Sequence, residues 1–130
     1  MSKIAVIEDD NLIREMYKLK LERSGYEVCL AENGEIGWQI VSDERPDLIL
    51  LDLMLPEMNG DVLLQKLRET KWGADIRVVV LTNISKDEAP SSLRLLNVER
   101  YIVKAHHTPS QVLEIVNEIL GKKASPTSHK

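Results

Sequence analysis

Pro46-Asp47-Leu48-Ile49-Leu50-Leu51-Asp52-Leu53-Met54-Leu55-Pro56-Glu57-Met58-Asn59-Gly60 is the stretch that decides how this chain folds. Leu48 to Leu51, together with Leu53, set one carboxylate among aliphatic side chains. A short apolar run without polar alternation suits a strand covered on both faces, as in a parallel sheet between helix layers. Pro46 punctuates its start, and Pro56 with Asn59-Gly60 marks a loop before the next helix. Asp52 therefore stands where the strand ends, the place at which open α/β sheets gather ligands and chemistry. On this stretch alone, a turn or capping aspartate is the simpler reading. The flanking sequence has to decide.

Upstream, Lys3-Ile4-Ala5-Val6-Ile7 reads as a buried strand followed by three consecutive acids, Glu8, Asp9 and Asp10. A helix is predicted from Asn11 to Ser24, stopped by Gly25, with Leu12, Ile13, Met16, Tyr17 and Leu21 on its apolar side. Glu27 to Ala31 is a second strand. Asn33-Gly34 opens a helix to Asp43 with Ile36, Ile40 and Val41 inward and Trp38 packed or partly at the surface. Downstream, Asp61 to Thr70 is a helix with Val62, Leu63 and Leu67 on its apolar side, and Ile76 to Thr82 is the most β-branched run in the chain. Ser85-Lys86-Asp87-Glu88 has the form of a capping box, with Pro90 in the first turn of a helix expected to reach Leu96. Arg100 to Val103 forms a fifth strand ending at Lys104. Thr108-Pro109-Ser110-Gln111 starts a last helix whose stripe is Val112, Ile115, Val116, Ile119 and Leu120.

Strands and helices thus alternate, which calls for an α/β fold with a parallel sheet and helices on both faces. Five strands and five helices fit the doubly wound, flavodoxin-like order 2-1-3-4-5. In that order the first and third strands are neighbours, so Glu8, Asp9 and Asp52 share one edge, with Thr82 and Lys104 beside them. Residues 1–121 are expected to form one domain and residues 122–130 a disordered polar tail.

The bulk numbers narrow the function. Of 17 basic side chains three lie in the last ten residues, leaving 14 against 21 acidic ones over residues 1–120. A body of that sign repels nucleic acid and suits basic partner surfaces or a bound cation. No apolar run is long enough to span a bilayer and no signal peptide is apparent, so a cytoplasmic location without membrane contact is expected. The single Cys29 fits a reducing compartment and reads as a small buried hydrophobe.

Three carboxylates within ~5 Å repel one another by a few kcal/mol per pair at an effective dielectric of about 20. Such a set persists when a cation sits among them or one carboxyl keeps its proton. All-oxygen donors favour Mg²⁺, or Mn²⁺ in its place, over zinc, and the adjacent His106-His107 offers no zinc spacing. An aspartate beside such an ion, a lysine and a hydroxyl is equipped to accept a phosphoryl group.

These residues together resemble the receiver domain of bacterial response regulators, the CheY-like family. The resemblance rests on the acidic pair Glu8-Asp9, on Leu-Asp-Leu-Met-Leu-Pro-Glu-Met-Asn-Gly around Asp52, on Val-Leu-Thr ending at Thr82, and on Tyr101-x-x-Lys104. It covers residues 3–120 and implies a phosphoacceptor in a two-component phosphorelay rather than an enzyme. Asp52 would take the phosphoryl group from a sensor histidine kinase or histidine phosphotransfer protein. Asp9 and Asp52 would ligate Mg²⁺, Glu8 would hold a metal-bound water, and the Met54 backbone carbonyl would complete the protein's share. Lys104 would pair with the phosphoryl oxygens. Thr82 and Tyr101 would form a switch, the hydroxyl moving toward the phosphate and the ring turning from solvent into the core. That remodels a face for a downstream protein target, with the chain a monomer or weak dimer.

Three positions depart from the family pattern. Ala105 follows Lys104 where proline after a cis bond is usual, Asn83 replaces a small residue after the threonine, and Asn97-Val98 stands where Gly-Ala is common. They keep open a second reading, a degenerate receiver serving as an unphosphorylated scaffold. A haloacid-dehalogenase-type phosphatase is disfavoured, because the acid it needs two residues after the nucleophile is here Met54.

Overall fold

The computed structural model describes residues 2–121, so the predicted tail 122–130 lies outside the described residues. Five strands run β1 (Lys3–Ile7), β2 (Glu27–Ala31), β3 (Leu48–Leu51), β4 (Arg77–Thr82) and β5 (Arg100–Val103). All neighbours pair in parallel in the order β2-β1-β3-β4-β5, as the alternation predicts. The register aligns the strand ends: Ile7 lies opposite Leu51 and Leu51 opposite Val80, while Thr82 faces Val103. Chemistry carried just past those ends therefore meets on one rim.

Four α-helices cover the sheet: α1 (Asn11–Arg23), α2 (Gly34–Glu44), α3 (Gly60–Arg68) and α4 (Pro109–Ile119). Strand side chains alternate between two cores. Ile7, Ile49, Leu51, Val78 and Val80 pack with Val41 of α2 and Leu63, Leu64 and Leu67 of α3. Ile4, Val6, Leu48, Leu50 and Val79 pack with Tyr17 and Leu21 of α1 and Val112, Ile115 and Val116 of α4. Starts follow the sequence signals. Asp10 and Asn33 cap α1 and α2 by accepting from the Ile13 and Ile36 amides, and Thr108 with Gln111 makes a complete capping box with Pro109 at N1.

Two expectations are corrected. The helix predicted from the 85–88 box to Leu96 does not form; two 3-10 turns, Lys86–Glu88 and Ser91–Leu95, stand in its place. Ser85 spends its hydroxyl on the Glu88 carboxylate and caps no amide. Pro90 has no N–H to give and holds Ala89 extended at ψ 151°, which cuts the segment in two. Second, Leu12, Ile36 and Val62 were expected inward and are exposed. Each lies five positions before the residue that anchors its helix, Tyr17, Val41 or Leu67. Five residues turn a helix by roughly 140° beyond one full turn, so the two side chains cannot share a face.

Candidate functional site

Glu8 and Asp52 owe their positions to ladders that run one residue past their strands. The Glu8 amide donates to the Ala31 carbonyl at 3.0 Å and the Asp52 amide to the Ile7 carbonyl at 3.1 Å. Thr82 closes β4, and Lys104 directly follows β5. The loop after β3 returns tightly: the Gly60 amide donates to Leu53 at 3.0 Å, and a methyl at Gly60 would overlap the Asp52 carbonyl oxygen. Glycine there lets α3 begin against the strand end.

The rim brings the expected side chains together. One oxygen from each of Glu8, Asp9 and Asp52 lies within 4.8 Å of the others, with Glu8 and Asp52 buried and Asp9 open to solvent. Lys104 Nζ bridges the buried pair, 2.5 Å from Glu8 Oε1 and 2.9 Å from Asp52 Oδ2. Asp52 Oδ1 accepts from the Thr82 hydroxyl at 2.7 Å and from the Met54 amide at 3.0 Å. Thus both carboxylate oxygens of Asp52 are held by named donors. The Met54 side chain points outward and only its backbone faces the site.

Burial pushes the Glu8 carboxyl above the ordinary glutamate range, with the Lys104 bond opposing it. For Lys104, burial acts to lower the ammonium, but its bonds to Glu8 and Asp52 outweigh that and its pKa is raised. The lysine stays charged. One ammonium against three carboxylates leaves negative charge at the rim, and oxygen donors with one member open to water suit a divalent cation that keeps part of its hydration.

Tyr101 is half-buried against the core on the α2–α3 side, and its hydroxyl donates to the Ile84 carbonyl at 2.7 Å. The ring packs at the edge of that core, and the Thr82 hydroxyl lies on Asp52. The Lys104–Ala105 peptide is trans, since no described peptide is cis. Asn97 adopts φ 54°, the left-handed conformation its side chain tolerates.

Two residues escaped the sequence reading. Arg14 donates to the Glu8 carbonyl at 2.7 Å, the Asp9 carbonyl at 3.3 Å and Asn11 Oδ1 at 2.7 Å, fixing the acidic loop from α1. Arg68 donates to the carbonyls of Gly73, Ile76, Leu96 and Asn97, tying α3 to both loops that flank β4 and the 3-10 segment. Neither belongs to a local motif; an arginine just past an acid run is the one hint the sequence holds.

The sequence profile of the response regulator receiver domain matches residues 4–117. The chain belongs to that family. As a receiver domain it is a phosphoacceptor signalling domain of two-component systems and not a true enzyme, and it carries the acidic pocket, Thr82 and Lys104 at the expected edge. It is 38% identical over 121 residues to the phosphate regulon transcriptional regulatory protein PhoB of Pseudomonas aeruginosa, covering 92% of this chain and 52% of that protein. To the alkaline phosphatase synthesis transcriptional regulatory protein PhoP of Bacillus subtilis it is 34% identical over 130 residues, covering 97% and 52%. The receiver domain thus spans about half the length of these curated relatives. Among solved structures, a CheY-like receiver domain protein from Methanospirillum hungatei superposes with TM-score 0.83 at 30% identity, covering 93% of this chain and 94% of that one. The response regulator TrrA of Thermotoga maritima, in complex with Mg²⁺-BeF, gives 0.79 at 29%, covering 92% and 99%. Among the described residues no helix is long and apolar enough to cross a membrane.

Proposed function

We propose that Asp52 is the phosphoacceptor and that a histidine-phosphorylated protein, a sensor kinase or phosphotransfer domain, is its donor. The observation that carries this reading is that Thr82, Lys104 and the Met54 amide converge on one buried carboxylate. A carboxylate oxygen of Asp52 attacks phosphorus as the phosphorus–nitrogen bond breaks, and the departing imidazole takes a proton from water. Lys104 follows the charge, leaving the Asp52 oxygen it now holds for a phosphoryl oxygen, and the Thr82 hydroxyl turns to a second. Mg²⁺, or Mn²⁺ in its place, held by Asp9, Asp52, the Met54 carbonyl and, through water, Glu8, supplies positive charge against the phosphoryl oxygens when bound.

The response is read by a protein target in the cytoplasm. The Tyr101 hydroxyl bonds the Ile84 carbonyl two residues after Thr82, so a shift of Thr82 would reach the 3-10 segment along the end of β4 and be felt at that bond. The acidic body of this domain argues against direct nucleic-acid contact by its own surface.

Incubation with Mg²⁺ and acetyl phosphate, followed by intact mass, tests the reading. Wild type gains one labile phosphoryl group, Asp52→Asn gains none, and omission of the divalent cation abolishes the gain. A chain that stays unmodified under every donor, or an Asp52→Asn variant that is labelled equally, contradicts it.

A further inference from the structure

Beside the buried acids lies a cavity of about 10 Å³ that the chemistry above does not use. Glu8, Asp52 and Tyr17 of α1 line it together, and Val6, Leu50 and Leu81 wall the rest. A void of that size, with several polar groups facing it, holds a single water. Tyr17 is 5% exposed, and its hydroxyl has no hydrogen-bond partner among the described residues, although a buried phenol ordinarily finds one. Burial, and then the charge of Glu8, push that phenol up to about 12, so it stays a donor and lies within the field of the carboxylate. Glu8 is 3% exposed and has two donors, Lys104 Nζ on Oε1 and the Asp10 amide on Oε2 at 3.0 Å. An ionised carboxylate accepts about four bonds, so Glu8 has capacity left. Asp52, by contrast, already accepts from Thr82, Met54 and Lys104.

We propose that Tyr17 is a positioning residue for Glu8: its hydroxyl donates to one water in this cavity, and that water donates to the Glu8 carboxylate. The arrangement rests on the reading of Asp52 as the phosphoacceptor and extends it. At rest one ammonium serves two buried carboxylates, 2.5 Å from Glu8 and 2.9 Å from Asp52. Once Asp52 carries a phosphoryl group, Lys104 follows the new charge and its hold on Glu8 lengthens. A buried carboxylate that loses a donor is costly unless another takes its place. The Asp10 amide is committed to the other oxygen. Tyr17 is the donor at hand, without a competing bond and fixed in the core between α1 and the sheet. Being neutral, it adds no charge that would compete with Lys104 for the phosphoryl oxygens. Tyr17 thus keeps Glu8 aligned with Asp9 while Lys104 turns away, and it reaches the site through Glu8 alone.

Titration calorimetry of the full chain with beryllofluoride, a stable phosphoryl mimic, at saturating Mg²⁺ tests it. Tyr17→Phe binds beryllofluoride about tenfold more weakly than wild type, the loss expected of one hydrogen bond to a charged group. Its affinity for Mg²⁺ alone is unchanged, because at rest Lys104 still holds Glu8. A tyrosine with a merely structural role would lower both affinities together. In wild type the tyrosine absorption shifts to the red on binding, as a phenol gains an acceptor, and Tyr17→Phe loses that shift. Equal beryllofluoride affinities in the two proteins overturn the proposal, as does an equal loss for Mg²⁺ alone or a red shift of the same size in both. A wild type that takes up neither beryllofluoride nor the phosphoryl group of acetyl phosphate removes the phosphoacceptor reading and this proposal with it. A wild type that takes up both, matched throughout by Tyr17→Phe, removes the role of Tyr17 alone.

Discussion

Two strand exits on the same edge of this sheet are built differently. After β3 the chain is pinned: the Asp52 amide bonds Ile7, the Gly60 amide bonds Leu53, and the Gly34 amide bonds Pro56, all at 3.0–3.1 Å. After β4 it runs into two short 3-10 turns anchored by Leu93 and Leu96, by the Tyr101 hydroxyl and by the Arg68 guanidinium. The first exit carries Asp52 and the Met54 amide that holds it. The second begins at Thr82, whose hydroxyl reaches the same carboxylate at 2.7 Å, and the segment beyond it is tied to Tyr101 through the Ile84 carbonyl. On the proposed function the acceptor stands on the stiff exit, and the response is expected in the soft one, where a local charge event can bias the chain at small cost.

The contrast breaks first on matched truncations. Leu64→Ala, in α3 against the β3 core, is expected to cost about 4 kcal/mol, because helix and sheet hold the cavity open. Leu93→Ala, in the second 3-10 turn, is expected to cost about 2 kcal/mol as the segment settles into the gap. Urea unfolding of both variants reads the difference; equal losses would mean that the two exits are equally rigid. A smaller effect sharpens the link between them. Tyr101→Phe removes the bond to Ile84 and is expected to cost about 1 kcal/mol. Amide exchange should rise across residues 84–89 and stay unchanged in α3, while a uniform rise would place Tyr101 in the common core instead.

Much of this contrast was legible in the sequence, and its limits have physical causes. The stretch around Asp52 sets an acid at a strand end, but alone it fits a turn or capping aspartate as readily as a site residue. The strand order then brought Glu8, Thr82 and Lys104 to it. The soft exit was misread because Ser85 and Glu88 have the spacing of a cap, and spacing does not show that the serine bonds the glutamate and no amide. Leu12 was assigned inward because periodicity identifies an apolar strip without saying which neighbour covers it. The roles of Arg14 and Arg68 were invisible because both act on backbone carbonyls, which carry no sequence signature.

The smallest effect concerns the acid side of the rim. Burial raises the Glu8 carboxyl, so the folded chain holds that proton more tightly than the unfolded one. The stability linked to it is fully present below the ordinary glutamate pKa and is lost as the pH rises through the raised value. Glu8→Gln abolishes that loss, so its urea midpoint should gain on wild type as the pH rises above the ordinary glutamate range of about 4. A gap that does not change with pH would show that Glu8 titrates alike in both states.

The central claim is that the convergent donors serve one carboxylate, and the modified residue can be located directly. Protein loaded from acetyl phosphate with Mg²⁺ is reduced with borohydride, which converts an aspartyl phosphate to homoserine, and the peptides are sequenced by mass. Homoserine at position 52 and at no other position is the predicted result. Homoserine at position 9, 10 or 61, or none in a chain that has gained the phosphoryl mass, would contradict the account.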